Sequence, residues 1–244
     1  MTPALLADRI RRAQPCVVLT GAGVSTESGI PDFRSREGIW ASYDPSEVAS
    51  LDGFRRDPAR VWEFYARRLA VHAEAEPNDA HRALARLEEL GLVEAVVTQN
   101  VDGLHQRGGS RNVVEVHGSI RRAVCTSCHG QAGAERVLAG LPLPLCECGE
   151  ILKPGVVLFG EQLPVAALEY ATALARRARL LLVVGSTLEV YPVAGLPLET
   201  LRTGGTLAIV NRGPTALDAE AELRLEGNAA TLLREILAEL ENGR

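Results

Sequence analysis

Short and almost wholly apolar runs recur along the chain, and each one ends at a polar or glycine-rich turn. Five of them predict buried strands, at Cys16–Leu19, Val93–Thr98, 113–116, Leu180–Val184 and Thr206–Val210. Apolar residues at helical spacing predict helices over 4–14, 58–73, 79–90, 164–178 and 228–241. Apolar strands alternating with helices indicate an α/β fold, in which a parallel sheet is covered by helices on both faces.

Polar sequence follows the carboxyl end of each predicted strand. The five turns read GAG, TQN, HG, GST and NRG. In an open α/β sheet, the carboxyl ends of the strands meet along one edge, and ligands bind in the crevice there. We therefore expect these five segments to converge on one site.

The stretch Thr20–Ser35, TGAGVSTESGIPDFRS, is the most distinctive of these turns. Gly21 and Gly23 let the backbone approach a ligand, and Val24–Gly29 is expected to open a helix whose N–H groups face phosphate. Such a turn also occurs where a helix merely packs on a strand. The PDFR segment favours a dinucleotide cradle, because Asp32, Phe33 and Arg34 are more than a tight turn requires.

Length and charge limit the classes of function. The 244 residues suffice for one large core, or for a core plus a small module. The net charge of −5 and the lack of a long basic run argue against nucleic acid as a partner. No apolar run nears the roughly 20 residues of a membrane span, and the N-terminus lacks a signal-peptide core, so a cytoplasmic protein without membrane contact is expected.

Cysteine spacing indicates a metal. Cys125 and Cys128 form C-x-x-C, Cys146 and Cys148 form C-x-C, and 17 residues separate the pairs. In a cytosolic chain, such pairing predicts a closed tetrahedral structural zinc site, with a redox pair as the alternative. Cys16, in the first strand, is expected to be a small buried apolar side chain.

Polar side chains at the predicted sheet edge are candidates for catalysis. His117 follows a strand, and its ordinary pKa near 6.5 suits a general base, although a lone histidine is often a packed or surface residue. Asn100 and Asp102 either cap a helix or orient a ribose, an amide or a water. Arg34 forms a surface ion pair or binds phosphate. The same choice between capping and ligand binding applies to Ser186, Thr187 and Asn211.

These motifs together resemble one family. GAGVSTESGIPDFRS, TQNVDGLH, VHG, the four cysteines, PGVVLFGE and GSTLEVYP, in this order, are similar to the sirtuins, which are NAD-dependent protein lysine deacylases. The resemblance extends from about Pro15 to the last helix. It implies a Rossmann-like large domain (about 1–35, 78–118 and 156–244) and a small domain made of a helical insertion (about 36–77) and a zinc module (about 119–155).

The resemblance also implies the chemistry. In sirtuins the acyl-lysine oxygen attacks C1′ of the nicotinamide ribose, and nicotinamide leaves. The histidine matching His117 takes a proton from a ribose hydroxyl, and the products are free lysine and 2′-O-acyl-ADP-ribose. Asn100 and Asp102 match the other catalytic positions. NAD binding is assigned to Gly21, Ala22, Gly23, Asp32, Phe33, Arg34, Trp40, Gln99, Asn100, Val101, Asp102, Gly185, Ser186, Thr187, Asn211, Arg212, Gly213 and Ala229.

A finer resemblance concerns the acyl group. Tyr65 and Arg68 lie at i and i+3 of a predicted helix and match the Y-x-x-R signature of class III sirtuins, which remove malonyl, succinyl and glutaryl groups. Ala49 matches a small residue of that class, so the chain resembles a bacterial class III sirtuin. Asp32, where that class usually has threonine, is typical of general deacetylases instead.

The substrates implied by the resemblance are proteins carrying acylated lysines. The peptide is expected to bind as an added strand between Gly155–Gly160 and Leu188–Pro192. Val156, Val157 and Phe159 are assigned to this substrate side. Two other functions remain open from the sequence: a protein ADP-ribosyltransferase that uses the same NAD, and a non-catalytic NAD sensor or zinc-bearing interaction module.

Overall fold

The computed structural model describes residues 2–242. Within them the helices are α1 Pro3–Arg12, α2 Pro45–Val48, α3 Leu51–Arg56, α4 Pro58–Glu74, α5 Asp79–Glu89, α6 Leu104–Arg107, α7 Ala134–Ala139, α8 Val165–Arg177, α9 Leu196–Arg202 and α10 Ala229–Asn242. The strands are β1 Cys16–Thr20, β2 Ala95–Thr98, β3 Val113–Glu115, β4 Gly118–Cys125, β5 Gln131–Gly133, β6 Leu152–Val156, β7 Leu180–Val184, β8 Thr206–Asn211 and β9 Leu223–Glu226.

The larger sheet has six parallel strands in the order β3-β2-β1-β7-β8-β9. Its central strand β1 pairs with both β2 and β7, with Val18 opposite Val96 on one side and Leu182 on the other. The order changes direction at β1, and ligand crevices of α/β sheets lie at such a switch point. The predicted α/β fold with a Rossmann-like parallel sheet is confirmed.

Both faces of this sheet are buried, as the apolar strand sequences predict. Val18 and Leu182 belong to one core cluster with α1, α5 and α10. Their neighbours Val17 and Leu181 belong to a second cluster with α8 and α9. Successive strand residues point to opposite faces, so a strand covered on both faces must be apolar at every position.

A smaller antiparallel sheet, in the order β5-β4-β6, lies beside the carboxyl edge of the larger one. It packs on helices α2–α4, and a third core cluster joins the two segments. Trp62 on α4 is at its centre, and its indole Nε1 donates a hydrogen bond to the main-chain oxygen of Leu152, at 2.6 Å. The helices between β1 and α5 therefore share a core with the small sheet between β3 and α8.

Local sequence explains where the helices begin. Asp57 caps α4, with Pro58 in the first turn, and Asn78 caps α5 together with the side chain of His81.

One predicted helix is wrong. Val24–Gly29 forms no α-helix but two 3₁₀ turns, Ala22–Val24 and Thr26–Ser28, because Ser25 between them is drawn into a buried polar network.

Candidate active site at the carboxyl edge of the sheet

A cavity of about 1000 Å³ lies between the carboxyl edge of the larger sheet and the smaller sheet. The five predicted turns all contribute to its wall: Gly21–Gly23, Gln99–Val101, His117, Gly185–Thr187 and Asn211–Gly213. Their predicted convergence is thus observed. A cavity of this size is at the upper end of the range for small-molecule sites.

Glycines allow the turns after β1 and β7 to lie against each other. A Cβ atom on Gly21 would lie 2.8 Å from the main-chain oxygen of Gly185, and one on Gly23 would lie 2.9 Å from the Cα atom of Gly185. Gly23 N–H also donates to that oxygen, at 2.9 Å. The glycines therefore serve a close contact between two backbones, which brings both turns to the same part of the cavity.

Unused main-chain donors surround this part of the cavity. The N–H groups of Ala22, Ser186 and Thr187 have no hydrogen-bond partner among residues 2–242, and all three residues line the wall. The N-terminus of α10 also reaches the wall at Ala229. Clustered free N–H groups and a helix N-terminus bind anions, so these residues fit the phosphates of a dinucleotide.

His117 lies at the opposite part of the wall with a fixed proton arrangement. Its Nδ1 atom is 3.1 Å from the main-chain oxygen of Gln99. A carbonyl oxygen only accepts, so Nδ1 carries the proton and donates, which leaves Nε2 of the neutral ring free to accept a proton. Burial lowers the pKa of His117 below its usual value, so the ring is neutral at pH 7.

Asn100 and Asp102 belong to a buried hydrogen-bond network centred on Ser25. The Asn100 side-chain nitrogen donates to Ser25 Oγ at 3.0 Å, and Ser25 Oγ donates to Asp102 Oδ2 at 2.8 Å. His81 Nε2 lies 3.5 Å from the same hydroxyl. The Asn100 side-chain oxygen accepts no hydrogen bond within residues 2–242, so it is available to a ligand in the cavity.

Asp102 differs from the other predicted site residues, because it lies behind the cavity wall. Its Oδ1 atom also accepts from Leu104 N–H, at 2.9 Å. Leu104 is the first residue of α6, but Gly103 occupies the N-cap position, so Asp102 supports the start of the helix from one residue further back. It reaches the cavity only through Ser25 and Asn100. Ser25 and His81 were missed as site residues. The unusual histidine in the Asn78 capping box was the available signal for His81.

The segment Asp32–Trp40 covers the cavity. Phe33 and Trp40 have ring centroids 5.1 Å apart, and Asp32 Oδ1 accepts from the N–H groups of Arg34 and Ser35. Arg34 Nε lies 3.1 Å from Glu189 Oε2 on the facing wall. Of its two sequence interpretations, the ion pair is the one observed, and Arg34 also lines the cavity.

Tyr65, Arg68 and Ala49 form the end of the cavity that is near α4. The Arg68 guanidinium lies 5.1 Å from the centroid of the Phe33 ring and 5.6 Å from that of Phe64. It has no carboxylate partner in the part of the chain that the structure describes. Burial lowers the pKa of Arg68 and raises the pKa of Tyr65. This end of the cavity therefore presents a guanidinium cation and a phenol hydroxyl, and both can bind a carboxylate of a ligand.

Val156, Val157 and Phe159 lie along the wall next to His117. Val157 N–H donates to the His117 main-chain oxygen at 2.9 Å, and Phe159 N–H donates to the Ala49 oxygen at 2.8 Å. Apart from Asp102, the structure places every residue predicted for dinucleotide or substrate on this one wall.

The four paired cysteines form a separate cluster in the smaller sheet. Their sulfur atoms all lie within 4.8 Å of one another, and the Cys125–Cys148 and Cys128–Cys146 pairs are 3.6 and 3.5 Å apart. Tetrahedral zinc with Zn–S bonds of about 2.3 Å requires sulfur separations of about 3.8 Å. Four thiolates leave no open ligand position, so the cluster fits a structural zinc.

Ser186 and Asn211 use their side chains within their own turns. Ser186 Oγ accepts from Leu188 N–H at 3.2 Å and from Gln99 Nε2 at 3.0 Å. The Asn211 amide donates to the main-chain oxygens of Arg212 and Gly213. These bonds fix the two turns so that their main chain forms the cavity wall.

No helix within residues 2–242 is long and apolar enough to cross a membrane.

Comparison with known proteins identifies relatives over nearly the whole chain. Residues 21–192 match the model of the Sir2 family. An NAD-dependent protein deacetylase of Sulfolobus acidocaldarius is 45% identical over 241 residues, which cover 97% of this chain and 94% of the relative. NAD-dependent protein deacylase 1 of Archaeoglobus fulgidus is 44% identical over 233 residues, 95% of each chain.

Solved structures give the same result. A Sir2 structure with a p53 peptide and NAD+ has a TM-score of 0.90 to this chain at 40% identity, and the match covers 100% of this chain and 99% of that one. A family model that spans most of the chain, relatives above 40% identity and the shared fold lead to one conclusion. The chain belongs to the Sir2 family.

Proposed function

We propose that this protein is an NAD-dependent protein-lysine deacylase. The observation that carries the proposal is the composition of the cavity wall. Free main-chain donors for phosphate lie at one part, and His117, with Nε2 able to accept a proton, lies at another. The Sir2-family relatives named above are NAD-dependent deacetylases or deacylases, which supports the same activity.

Bound NAD supplies an electrophilic ribose carbon and the hydroxyl that receives the acyl group. The protein's own residues bind, orient and exclude water. The turns at Gly21–Gly23 and Gly185–Thr187 would hold the phosphates, and the Asn100 oxygen would orient a donor group of the nicotinamide ribose. His117 Nε2 would accept the proton of the hydroxyl that receives the acyl group, and Phe33 would keep water away from the ribose carbon.

The cysteine cluster holds one structural zinc ion in this proposal. Its role is to fix the smaller sheet, whose strand β6 leads into the cavity wall at Val156. The large domain (about 1–35, 78–118 and 156–244) carries the dinucleotide, and the small domain (about 36–77 and 119–155) closes over it. A cytoplasmic protein of a bacterium is a further prediction, although the relatives described above are archaeal.

For the acyl group, we propose a preference for succinyl- and malonyl-lysine, with acetyl-lysine also accepted. Arg68 has no carboxylate partner within residues 2–242, and Tyr65 lies on the same face of α4. A terminal carboxylate would supply the missing partner. The competing candidate is a general deacetylase. It is favoured by Asp32, which matches the residue typical of general deacetylases and whose carboxylate accepts from the N–H groups of Arg34 and Ser35 in the covering segment.

The test is a parallel assay of acetyl-, malonyl- and succinyl-lysine peptides with NAD, with the products identified by mass spectrometry. Free nicotinamide and O-acyl-ADP-ribose support a deacylase. Protein that carries ADP-ribose, in place of these products, indicates an ADP-ribosyltransferase. No consumption of NAD indicates a non-catalytic sensor. A kcat/KM for succinyl-lysine below that for acetyl-lysine would refute the acyl preference.

A further inference from the structure

The only lysine of the chain occupies a buried position next to the cavity wall. Of the 26 lysine and arginine residues, 25 are arginine and the other is Lys153. Lys153 lies in β6, and its Nζ atom donates to the main-chain oxygens of Pro154 and Val156, at 2.8 and 2.7 Å, and to Glu161 Oε2, at 3.0 Å. An ammonium group has three N–H bonds, and each has an acceptor here.

Arginine does not meet this requirement. Its donors are spread over a planar fork, whereas the three acceptors around Lys153 converge on a single nitrogen atom. The chain uses arginine at every other basic position, so the lysine at 153 reflects the geometry of this site.

Glu161 connects the ion pair to a third position of the main chain, at Leu158. Its Oε2 atom accepts from Leu158 N–H, at 2.8 Å, as well as from Lys153. One ion pair thereby holds the main chain of residues 154, 156 and 158 by hydrogen bonds. We call residues 156–160 the wall segment, since all five line the cavity.

The wall segment connects two important parts of the site. Val157 N–H donates to the main-chain oxygen of His117, and Phe159 exchanges hydrogen bonds with Ala49 and Leu51. Between these bonds, the Val157 carbonyl has no hydrogen-bond partner among residues 2–242. This carbonyl, between the two anchored positions, is therefore available to accept a hydrogen bond from a ligand.

Stability alone does not explain the ion pair. Lys153 is 7% exposed, and a buried pair of charges is commonly no more stable than well-packed apolar residues of the same volume, because desolvation offsets the attraction. The three hydrogen bonds from the pair to the main chain of residues 154, 156 and 158 instead indicate a role in fixing the conformation of this part of the chain.

We propose that Lys153 and Glu161 are positioning residues for the acylated-lysine substrate, because their bonds hold the wall segment in the conformation that binds it. This proposal rests on the deacylase function proposed above. It assigns the pair no contact with NAD, whose phosphate turns follow β1 and β7, away from this segment.

The experiment compares the wild-type protein with Lys153→Met, Glu161→Gln and Lys153→Arg. We expect KM for the acyl-lysine peptide to rise about tenfold or more in each, while KM for NAD changes by less than about twofold. Lys153→Arg keeps the charge and loses the convergent geometry, so it behaves like Lys153→Met. Amide hydrogen exchange of the wall segment becomes faster in all three variants.

Two control variants separate positioning from general destabilisation. Asp8→Asn removes an exposed ion pair with Arg12 on α1 and leaves both KM values unchanged. Ile236→Val lowers Tm because it removes a methylene group from the core cluster that α1, α5 and α10 form on the larger sheet. It too leaves the peptide KM unchanged. Glu161→Gln is the milder change and remains informative if Lys153→Met does not fold.

The outcomes are distinct. A wild-type protein that removes no acyl group from any peptide refutes the proposed function. A wild-type deacylase whose peptide KM and wall-segment exchange are unaltered by Glu161→Gln refutes the positioning role. Equal rises in KM for the peptide and for NAD, or the same rise in Ile236→Val, also refute it, because these are the effects of a loosened fold.

Discussion

The Nδ1 atom of His117 donates a hydrogen bond to the main-chain oxygen of Gln99, 3.1 Å away. Gln99 directly follows β2, and its N–H in turn donates to the main-chain oxygen of Thr20 at the end of β1. The orientation of the imidazole is thus set by the central strands of the sheet. Its tautomer is set by the carbonyl, and Nε2 is left as the basic atom.

The first prediction concerns the pH dependence of deacylation. Burial lowers the pKa of His117, so the ring stays neutral somewhat below its usual pKa near 6.5. We expect the acid limb of the kcat/KM profile to be centred below pH 6.5, where Nε2 becomes protonated. His117→Ala should lower kcat by about 10²-fold or more. An acid limb centred above pH 7 would contradict this assignment.

The second prediction concerns stability in acid. His81 and His105 have ring centroids 4.8 Å apart, and burial lowers their pKa values to about 4 and about 3. Between pH 6.5 and about 4, the unfolded chain therefore binds more protons than the folded one. The free energy of unfolding should fall as pH decreases through this window, by up to about 1.4 kcal/mol per pH unit for each histidine. Urea unfolding at pH 7.5, 5.5 and 4.5 measures it.

A variant checks the origin of that slope. His105→Gln removes one of the two buried imidazoles and should make the free energy of unfolding less dependent on pH between 6.5 and 4. An unchanged slope would show that the acid sensitivity arises elsewhere in the chain.

The third prediction concerns acyl preference. Arg68→Met should reduce kcat/KM for succinyl-lysine far more than for acetyl-lysine, because only the succinyl group has a carboxylate to pair with the guanidinium. Arg67→Met is the matched control, since Arg67 lies on the same helix but is exposed and paired with Glu63. Equal losses on both peptides would refute the role of Arg68.

The fourth prediction concerns the metal. We expect one zinc ion per chain by elemental analysis, and its loss in Cys128→Ser. Cys16→Ala is the control, because Cys16 is buried in β1 and lies outside the cluster. Chelation should lower Tm, since a structural zinc contributes to the free energy of folding. Full zinc content in Cys128→Ser would contradict the four-thiolate site.

The fifth prediction concerns the glycine contact below the dinucleotide. Gly21→Ala would place a Cβ atom 2.8 Å from the Gly185 oxygen, so one of the two phosphate turns must move. We expect NAD binding, measured by calorimetry, to weaken by about tenfold or more. Gly133→Ala is the control, because its Cβ atom would meet nothing within 4 Å. Equal affinities for NAD in the two variants would argue against the turn as a phosphate site.

The large sheet and its ligand edge were predictable because the signal is local. Each strand of the centre is almost wholly apolar, and each is followed by a polar turn, so periodicity and the rule for parallel sheets sufficed to bring Gly21, Gln99 and Asn211 together. The strand β9 and the helix α9 were not predicted. β9 is a short edge strand that reads LRLE, and only its pairing with β8 makes it a strand.

The buried network behind the wall was not predictable from local sequence. Ser25 bonds Asp102 across 77 positions of the chain, and this bond both replaces the expected helix at Val24–Gly29 with two 3₁₀ turns and removes Asp102 from the cavity. The Lys153–Glu161 pair was missed for a related reason. Its requirement for three acceptors around one nitrogen exists only after β6 and the wall segment have folded.

The third core cluster is built from two separate segments of the chain, one before β2 and one after β3. During synthesis, Trp62 emerges long before Leu152, whose main-chain oxygen accepts its indole hydrogen bond, so this core is complete only after both segments have left the ribosome. Until then the apolar side chains of the first segment are exposed to solvent, and all four thiolates are present to hold a metal only once Cys148 has also emerged.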